Sequence, residues 1–492
     1  MSFWTPQSFA SITAGRWLGA APADLTLAGV STDTRAIKAG QVFVALAGER
    51  FDAHDFLKDA IANDAALLIV SRMDKAIAAI GDNGPPTLLV DDTVAAMQRL
   101  ATAYRDVLAA AECKVIAVGG SNGKTTTRNL IHHLLSAKLK GTQSPKSFNN
   151  HIGVPLTLLA ARESDDFVVV EIGTNHPGEM AALAEIVRPD VAAITSVGRE
   201  HMEFFKTLDG VAAEEGSLLR FVQPNGLAMI PCDATQVELL EKYLQALSPD
   251  IQRYHFGLHD LHKTAIQPTA TGYAFADHNG VIFHVPLLGR HNVNNACAAI
   301  CVARWLKFDD ATIRDALATA TGMPMRMQLI TLADKPPRTA VINDAYNANP
   351  DSMLAAIEQW LDYPLEEAGH RRRVAIIGDM LELGDVAPAE HRGIGQSLAE
   401  RLNALGGDRP THIIVIGRLA VFYAESLSRS WKPEHLSIFP AWSDDVPAQV
   451  AALIKPGDLV LLKASRGMGL ERLIPAMSAK LGVESTAQSP KH

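Results

Sequence analysis

Short apolar runs alternate along the chain with longer stretches in which apolar residues recur every three or four positions. Continuous apolar runs of that length suit buried strands, and the longer period suits amphipathic helices. Their repeated alternation predicts an α/β architecture built mainly on parallel sheets. The expected strands fall into three groups. The first holds QVFVALAG, AALLIVS and TLLVDD; the second KVIAVGG, DFVVVEIG and DVAAITSVG; the third TAVINDAY, RVAIIGDM, HIIVIGR and DLVLLKAS. A helical stretch, VAAMQRLATAYRDVLAA, closes the first group, and a Gly/Met/Pro-rich stretch, TGMPMRMQ, precedes the third. These features place domain boundaries at 1–110, 111–322 and 323–492. Within the middle segment, GYAFADHNGVIFHVPLLG alternates around Asn279-Gly280 and predicts a β-hairpin. The polar tail after Gly482 is expected to fray. No internal repeat or low-complexity segment is evident.

Length agrees with this partition, since 492 residues suffice for about three domains. With 48% hydrophobic and 20% charged residues the composition is that of a soluble globular protein. No apolar run approaches the ~20 residues that cross a bilayer, and the N-terminus lacks the basic and apolar regions of a secretory leader. The net charge of -9 gives no electrostatic reason to expect nucleic acid or an anionic membrane as partner. Cys113, Cys232, Cys297 and Cys301 form no CxxC pair, which reads as reduced thiols in a cytoplasmic protein.

The strongest local signal is VIAVGGSNGKTTTRNLIHHLL: an apolar strand, a Gly-rich turn, then Lys-Thr-Thr opening a helix. Backbone N–H groups at such a turn can cradle phosphate, with Gly120 and Gly123 allowing close approach. Lys124 is placed to reach the outer phosphates and the Thr125 hydroxyl to bind Mg²⁺. Val118 stands where the general pattern has a glycine, so the loop is the variant GGSNGKTT. The bland alternative is an ordinary strand–turn–helix junction. Glu171 ends an apolar strand, where ligands of parallel sheets gather, and suits a hard cation as well as it suits a solvated strand end. His201 lies just past another strand, as ligand or as structural histidine. Asn292 and Asn295 share one helix face, and their amides suit a purine edge or a helix cap. Arg326, Asp344, Lys463 and Arg466 flank strands of the third group and read equally as surface charges.

Taken in this order, GGSNGKTT, HNVNNA and the Arg326 segment followed by Asp344 resemble the Mur ligase family, and the similarity extends over essentially the whole chain. INDAYNANPDSM, IGDMLELGD followed by His391, and SFNNHIGVPLTLL resemble the members that add D-Ala-D-Ala. The Asp-Asn-Pro-Arg tetrapeptide of the sister enzymes that add a diamino acid does not occur. The resemblance implies three domains, with a central P-loop ATPase-type parallel sheet and a C-terminal Rossmann-like domain. It implies an ATP-dependent ligase that activates the terminal carboxylate of a UDP-N-acetylmuramoyl tripeptide as an acyl phosphate and couples it to D-Ala-D-Ala, in peptidoglycan precursor synthesis. ATP and Mg²⁺ are the implied cofactors, and a cytoplasmic monomer the implied form.

By the same resemblance Gly120, Ser121, Asn122, Gly123, Lys124, Thr125 and Thr126 hold the phosphates, while Asn292, Asn295, Arg326 and Asp344 fix the nucleotide. Thr125 and Glu171 hold one Mg²⁺ and His201 helps to hold a second, with Lys124, His201 and Arg326 as the catalytic groups. Ser31, Thr32, Asp33 and Arg35 resemble the uridine-diphosphate contacts, with a capped turn as the alternative and His54 as a weaker candidate. Asn347, Asn349 and the segment 379–391 are candidates for the dipeptide. One departure stands out. Most members carry a CO₂-modified lysine after the histidine segment, and that position falls here on Glu215. Glu215 is expected to supply anionic oxygens to the second metal directly, against the alternative of a solvated helix residue. Competing readings are a related ligase for another amino acid, a P-loop NTPase that forms no bond, and a silent binding module. The third peptide residue, diaminopimelate or lysine, stays open.

Overall fold

The computed structural model describes residues 2–22, 25–48, 51–81, 84–232, 236–257, 266–269, 271–277, 279–404, 411–429 and 433–482. The tail expected to fray lies outside them.

The first group of strands forms a five-stranded sheet of β1 (Arg16–Trp17), β2 (Val30–Ser31), β3 (Val42–Val44), β4 (Leu67–Val70) and β5 (Thr87–Leu89), in the order β1-β5-β4-β3-β2. Only β1 runs antiparallel. Helix α1 (Thr93–Ala110) follows, started by Asp92, whose carboxylate accepts the N–H groups of Val94 and Ala95. Although α1 ends where the first boundary is expected, its side chains face both the N-terminal segment, where Arg99 donates to Thr13 O, and the next sheet. Tyr104 donates its hydroxyl to Ala161 O at 2.9 Å, and the buried Arg105 reaches Val187 O, Arg188 O and Asp190. Leu100, Tyr104 and Leu108 share one apolar cluster with Val154, Leu158 and Met180, so the core runs across the boundary.

The second sheet is entirely parallel: β6 (Lys114–Gly119), β7 (Gly141–Gln143), β8 (Phe167–Glu171), β9 (Val191–Ile194), β10 (Leu227–Pro231) and β11 (Gln252–Phe256), in the order β11-β10-β9-β6-β8-β7. β6, β8 and β9 are apolar and buried, which only a sheet covered on both faces permits. Their register aligns Val118 with Glu171 and Gly119 with Ile194. The phosphate-type loop, Glu171 and the segment after β9 therefore emerge side by side at one edge. Helix α2 (Lys124–Leu135) leaves from that loop, and α3 (Glu179–Val187) lies after β8. The expected hairpin is present: β13 (Tyr273–Ala276) and β14 (Ile282–Val285) pair antiparallel and join a short β12 (Gln267–Pro268). Helix α4 (His291–Trp305) then packs on α2.

The third body is a six-stranded sheet of β15 (Gln328–Ala333), β16 (Thr339–Asn343), β17 (Arg372–Gly378), β18 (Thr411–Ile416), β19 (Leu436–Phe439) and β20 (Asp458–Lys463), in the order β15-β16-β20-β17-β18-β19. Only β15 is antiparallel. Apolar clusters cover both faces. Helix α5 (Pro350–Asp362) begins with a reciprocal capping box between Asn349 and Ser352 and Pro350 in its first turn; α6 (Ala387–Ala404) packs beside it. Pairing of Asn343 with Leu462 and of Ile377 with Lys463 brings Asp344, Lys463 and Asp379 to one edge. No helix among the described residues is long and apolar enough to cross a membrane.

Candidate active site

The carboxyl edges of the second and third sheets face each other across a cavity of about 970 Å³. Its walls carry Ser121 to Thr126, Glu171, His201, Asn292 and Asn295 from one side and Arg326, Asp344, Asn347, Asn349, Lys463 and Arg466 from the other.

At its floor the turn after β6 is held from below. Gly120 has φ +112, and a Cβ there would stand 2.3 Å from Thr195 Oγ1 and 2.6 Å from its backbone N. Only glycine allows that approach. Gly120 is expected to let the turn close on phosphate and to help hold it, but its own N–H is engaged elsewhere. That N–H donates to Glu215 Oε2 at 2.6 Å, and Gly120 is absent from the cavity wall. Ser121 N–H donates to Ser196 O, Asn122 N–H to Ser196 Oγ, and Gly198 N–H to Ser121 Oγ. Gly123, with φ +90, caps α2, and Asn295 Oδ1 lies 2.5 Å from where its Cβ would be.

Lys124 is enclosed by carboxylates. Its Nζ donates to Gly120 O at 2.5 Å and stands 3.6 Å from Glu200 Oε1. Burial opposes its charge, but Glu200, Glu215 and Glu171 outweigh burial and hold the ammonium above its ordinary pKa. Glu200 escaped the sequence reading, although its place beside His201 was a usable signal. Burial pushes its carboxyl up, with Lys124 and His201 opposing. Glu171 is fixed by Asn149 Nδ2 at 3.0 Å and by the buried Arg128 at 3.1 Å. His201 has φ +48 and pairs through Nδ1 with Glu382 Oε2 of the third body at 3.0 Å.

The structure does not bring Glu215 to the cavity. The side chain is fully buried behind the turn, with Oε2 on Gly120 and Oε1 without a hydrogen-bond partner. Burial raises its pKa to about 8, Lys124 opposing and Glu200 adding. A shorter side chain than lysine stops beneath the loop instead of reaching past it. The carboxylates facing the cavity next to His201 are Glu200 and, from the third body, Glu382.

Asn292 and Asn295 do share a face. Asn295 Nδ2 donates to Asn292 Oδ1 at 2.8 Å, Asn292 Nδ2 donates to Leu288 O at 2.6 Å, and Thr127 Oγ1 donates to Asn295 Oδ1. Arg326 Nη2 donates to Thr125 Oγ1 at 2.9 Å, and its guanidinium stacks 4.1 Å from the centre of the Tyr346 ring. Asp344 accepts Met327 N–H and pairs with Lys463 at 2.6 Å; Lys463 also donates to Asn347 O. Asn349 caps α5 and donates Nδ2 to Asn122 Oδ1 at 3.0 Å. His391, in the segment 379–391, is fully buried, accepting Met380 N–H at Nε2 and facing Ala387 O at Nδ1, so it shapes the loop and does not reach the cavity.

Ser31, Thr32, Asp33 and Arg35 also lie away from this cavity. Ser31 ends β2 and the others form the turn that follows, in which Asp33 accepts Arg35 N–H and pairs with its guanidinium at 2.8 Å, leaving the Arg35 side chain 81% exposed. His54 is buried, bonded to Asp52 and to Ser71 N–H, a structural arrangement.

The donor types suit a divalent cation beside phosphates: the Thr125 hydroxyl, the Glu171 and Glu200 carboxylates and the His201 imidazole are among the groups that line one wall. Among the described residues no three His, Cys, Asp or Glu side chains are grouped closely enough to hold an ion unaided.

Three family models match the chain: Mur ligase family, catalytic domain, over residues 26–105; Mur ligase middle domain over 118–303; and Mur ligase, glutamate ligase domain over 325–466. The UDP-N-acetylmuramoyl-tripeptide–D-alanyl-D-alanine ligase of Bacillus subtilis (strain 168) is 34% identical over 450 residues, covering 91% of this chain and 92% of the relative. The enzyme of the same name from Escherichia coli (strain K12) is 32% identical, covering 92% and 94%. Among solved structures, MurF from Acinetobacter baumannii superposes with a TM-score of 0.82 at 30% identity, covering 97% of this chain and 99% of that one. MurF from Thermotoga maritima in complex with ADP gives 0.73 at 26% identity, covering 94% and 99%.

Proposed function

Because the chain belongs to the Mur ligase family, we propose that it joins D-Ala-D-Ala to the terminal carboxylate of a UDP-N-acetylmuramoyl tripeptide at the expense of ATP, in the cytoplasm. The observation that carries this reading is one cavity with a phosphate-type loop on one wall and cationic and amide groups of a different body on the other.

Residues 1–110 carry the UDP end of the precursor, with Ser31, Thr32, Asp33 and Arg35 as its contacts. Residues 111–322 hold the triphosphate, and residues 323–492 complete the nucleotide site and receive the dipeptide. The chemical problem is three anions brought together: triphosphate, acceptor carboxylate and a developing oxyanion. Lys124 stabilises charge on the transferred phosphoryl group. Thr125, Glu171, His201 and Glu200 face the space where Mg²⁺ would sit. When bound, Mg²⁺ supplies charge neutralisation at the phosphates. The carboxylate oxygen takes the γ-phosphoryl group as ADP leaves. The dipeptide amine then attacks the carbonyl carbon, phosphate departs and the nitrogen loses its proton. Arg326, stacked on Tyr346 and bonded to Thr125, would meet the phosphates, and Asn292 and Asn295, bonded to each other on one helix face, would lie against the base.

The test is phosphate release from ATP with UDP-tripeptide and one amine at a time, with the product weighed by mass spectrometry. Release and a product heavier by the dipeptide less one water are expected with D-Ala-D-Ala. Release with a single amino acid in its place would assign a sister activity. Release without any UDP-linked acceptor would assign a simple NTPase. Running both tripeptides identifies the third residue.

A further inference from the structure

The segment after β9, Thr195 to His201, is bonded on both sides. Inward it braces the phosphate loop: Thr195 Oγ1 and Ser196 Oγ donate to Asn122 O at 2.7 and 3.0 Å, and the loop's own N–H groups at Ser121 and Asn122 land on Ser196. Outward it meets the third body through Arg199. The Arg199 backbone N–H donates to Asp351 Oδ2 at 2.6 Å, Nε and Nη2 donate to Asp351 Oδ1 at 3.1 and 2.7 Å, and Nη1 donates to Glu390 Oε2 at 2.9 Å. Asp351 lies in the first turn of α5 and Glu390 in the first turn of α6. One guanidinium thus spans two helices of the third body. The approach is close: a Cβ at Gly198 would stand 2.8 Å from Asp351 Oδ2 and 3.2 Å from Asn122 Nδ2. The planar fork of arginine suits this double engagement, which an ammonium cannot reproduce.

We propose that Arg199 is a positioning residue for ligation: it touches no substrate, and its pairs to Asp351 and Glu390 seat the third body against the segment that braces the phosphate loop. Seating brings Asn349 onto Asn122 and Arg326 onto Thr125, so the dipeptide side of the cavity and the phosphate side come into register together. The proposal rests on the ligase reading given above. Side-chain exposures of 31% for Arg199, 37% for Asp351 and 24% for Glu390 leave the clamp within reach of solvent ions. Salt therefore weakens it, a property that mere packing of the segment would not have.

The experiment compares wild type, Arg199→Ala, Arg199→Lys and Glu390→Gln. D-Ala-D-Ala-dependent phosphate release is measured from about 0.05 to about 0.5 M salt, where the screening length falls several-fold. Arg199→Ala is expected to raise KM for D-Ala-D-Ala about tenfold or more and to lower kcat, as loss of a partly buried double ion pair warrants. UDP-tripeptide binding, measured by calorimetry, stays at the wild-type value. Arg199→Lys and Glu390→Gln fall between. Rising salt raises the wild-type KM more steeply than that of Arg199→Ala. Wild-type KM and kcat in Arg199→Ala, or parallel salt curves, would overturn the clamp while wild type still ligates. No amide formed by wild type would instead overturn the ligase reading. If Arg199→Ala does not fold, the salt slope of Glu390→Gln decides by the same criterion.

Discussion

Lys124 sits where an ammonium is most costly to bury and most useful to keep. Three carboxylates surround it and hold its proton. With Gly120 O as its nearest partner it points across the turn it belongs to. Lys124→Ala should lower turnover by about 100-fold or more, the usual cost of removing such a stabilising group; amide formation at a near wild-type rate would contradict the phosphate-loop assignment. His391 shows the opposite economy. Its Nε2 must stay unprotonated to accept Met380 N–H, and burial lowers its pKa from 6.5 to about 4. As pH falls the unfolded chain takes this proton first. The contribution of His391 to stability is therefore full above about 6.5 and is lost progressively toward 4, on the order of 3 kcal/mol in all. The melting temperature should drop over that window, and the His391 ring should show no NMR titration between pH 7 and 5; a midpoint near 6.5 would refute it. What sequence reveals at this scale is residue type after a strand. Glu171, His201 and Asp344 stood out because strand ends gather ligands, Lys124 because it follows a Gly-rich turn, and Arg326 only through the family resemblance. The partners were not, because Arg128 on Glu171, Lys463 on Asp344 and Glu200 on Lys124 depend on three-dimensional pairing.

At the scale of elements, the Asn349 side chain has two separable duties. Its Oδ1 accepts Ser352 N–H and starts α5, while its Nδ2 donates to Asn122 across the cavity. Asn349→Ala should cost about 1 kcal/mol of stability, the usual worth of an N-cap. Asn349→Asp should keep the cap and lose the donation, so its denaturation midpoint stays near wild type while KM for the dipeptide rises. Equal kinetics in Asn349→Asp and wild type would show that the cross-cavity bond carries no weight. The strands read from sequence were those with continuous apolar runs, such as β6, β8 and β20, each nearly or wholly buried. Most of those missed are short or polar edge strands. β7 reads GTQ and β11 QRYHF, with exposed or half-buried positions that carry no apolar run. β10 is as long and as buried as β8 but ends in a proline, a residue that argues against a central strand.

For the whole molecule, composition and alternation were enough to anticipate three sheets, but not how their edges meet. Nothing in the spacing of Arg199, Asp351 and Glu390 indicates that one residue would grip the other two. Nor did the periodicity of VAAMQRLATAYRDVLAA say which sheet would receive its apolar stripe. The structure ties α1 to the second sheet, through Tyr104 on Ala161 and Arg105 on the turn before β9, while the other side of the helix rests on Phe3, Trp4 and Thr13. That commitment limits how such chains can be rearranged by recombination. A crossover after residue 110 would deliver a foreign helix whose stripe was shaped against another neighbour, leaving Asp190 without its cation and a greasy trench along α3. A crossover before Asp92 cuts the other side, where Tyr104 meets Phe3 and Trp4 and Arg99 donates to Thr13 O, so the helix has to travel with both of its neighbours.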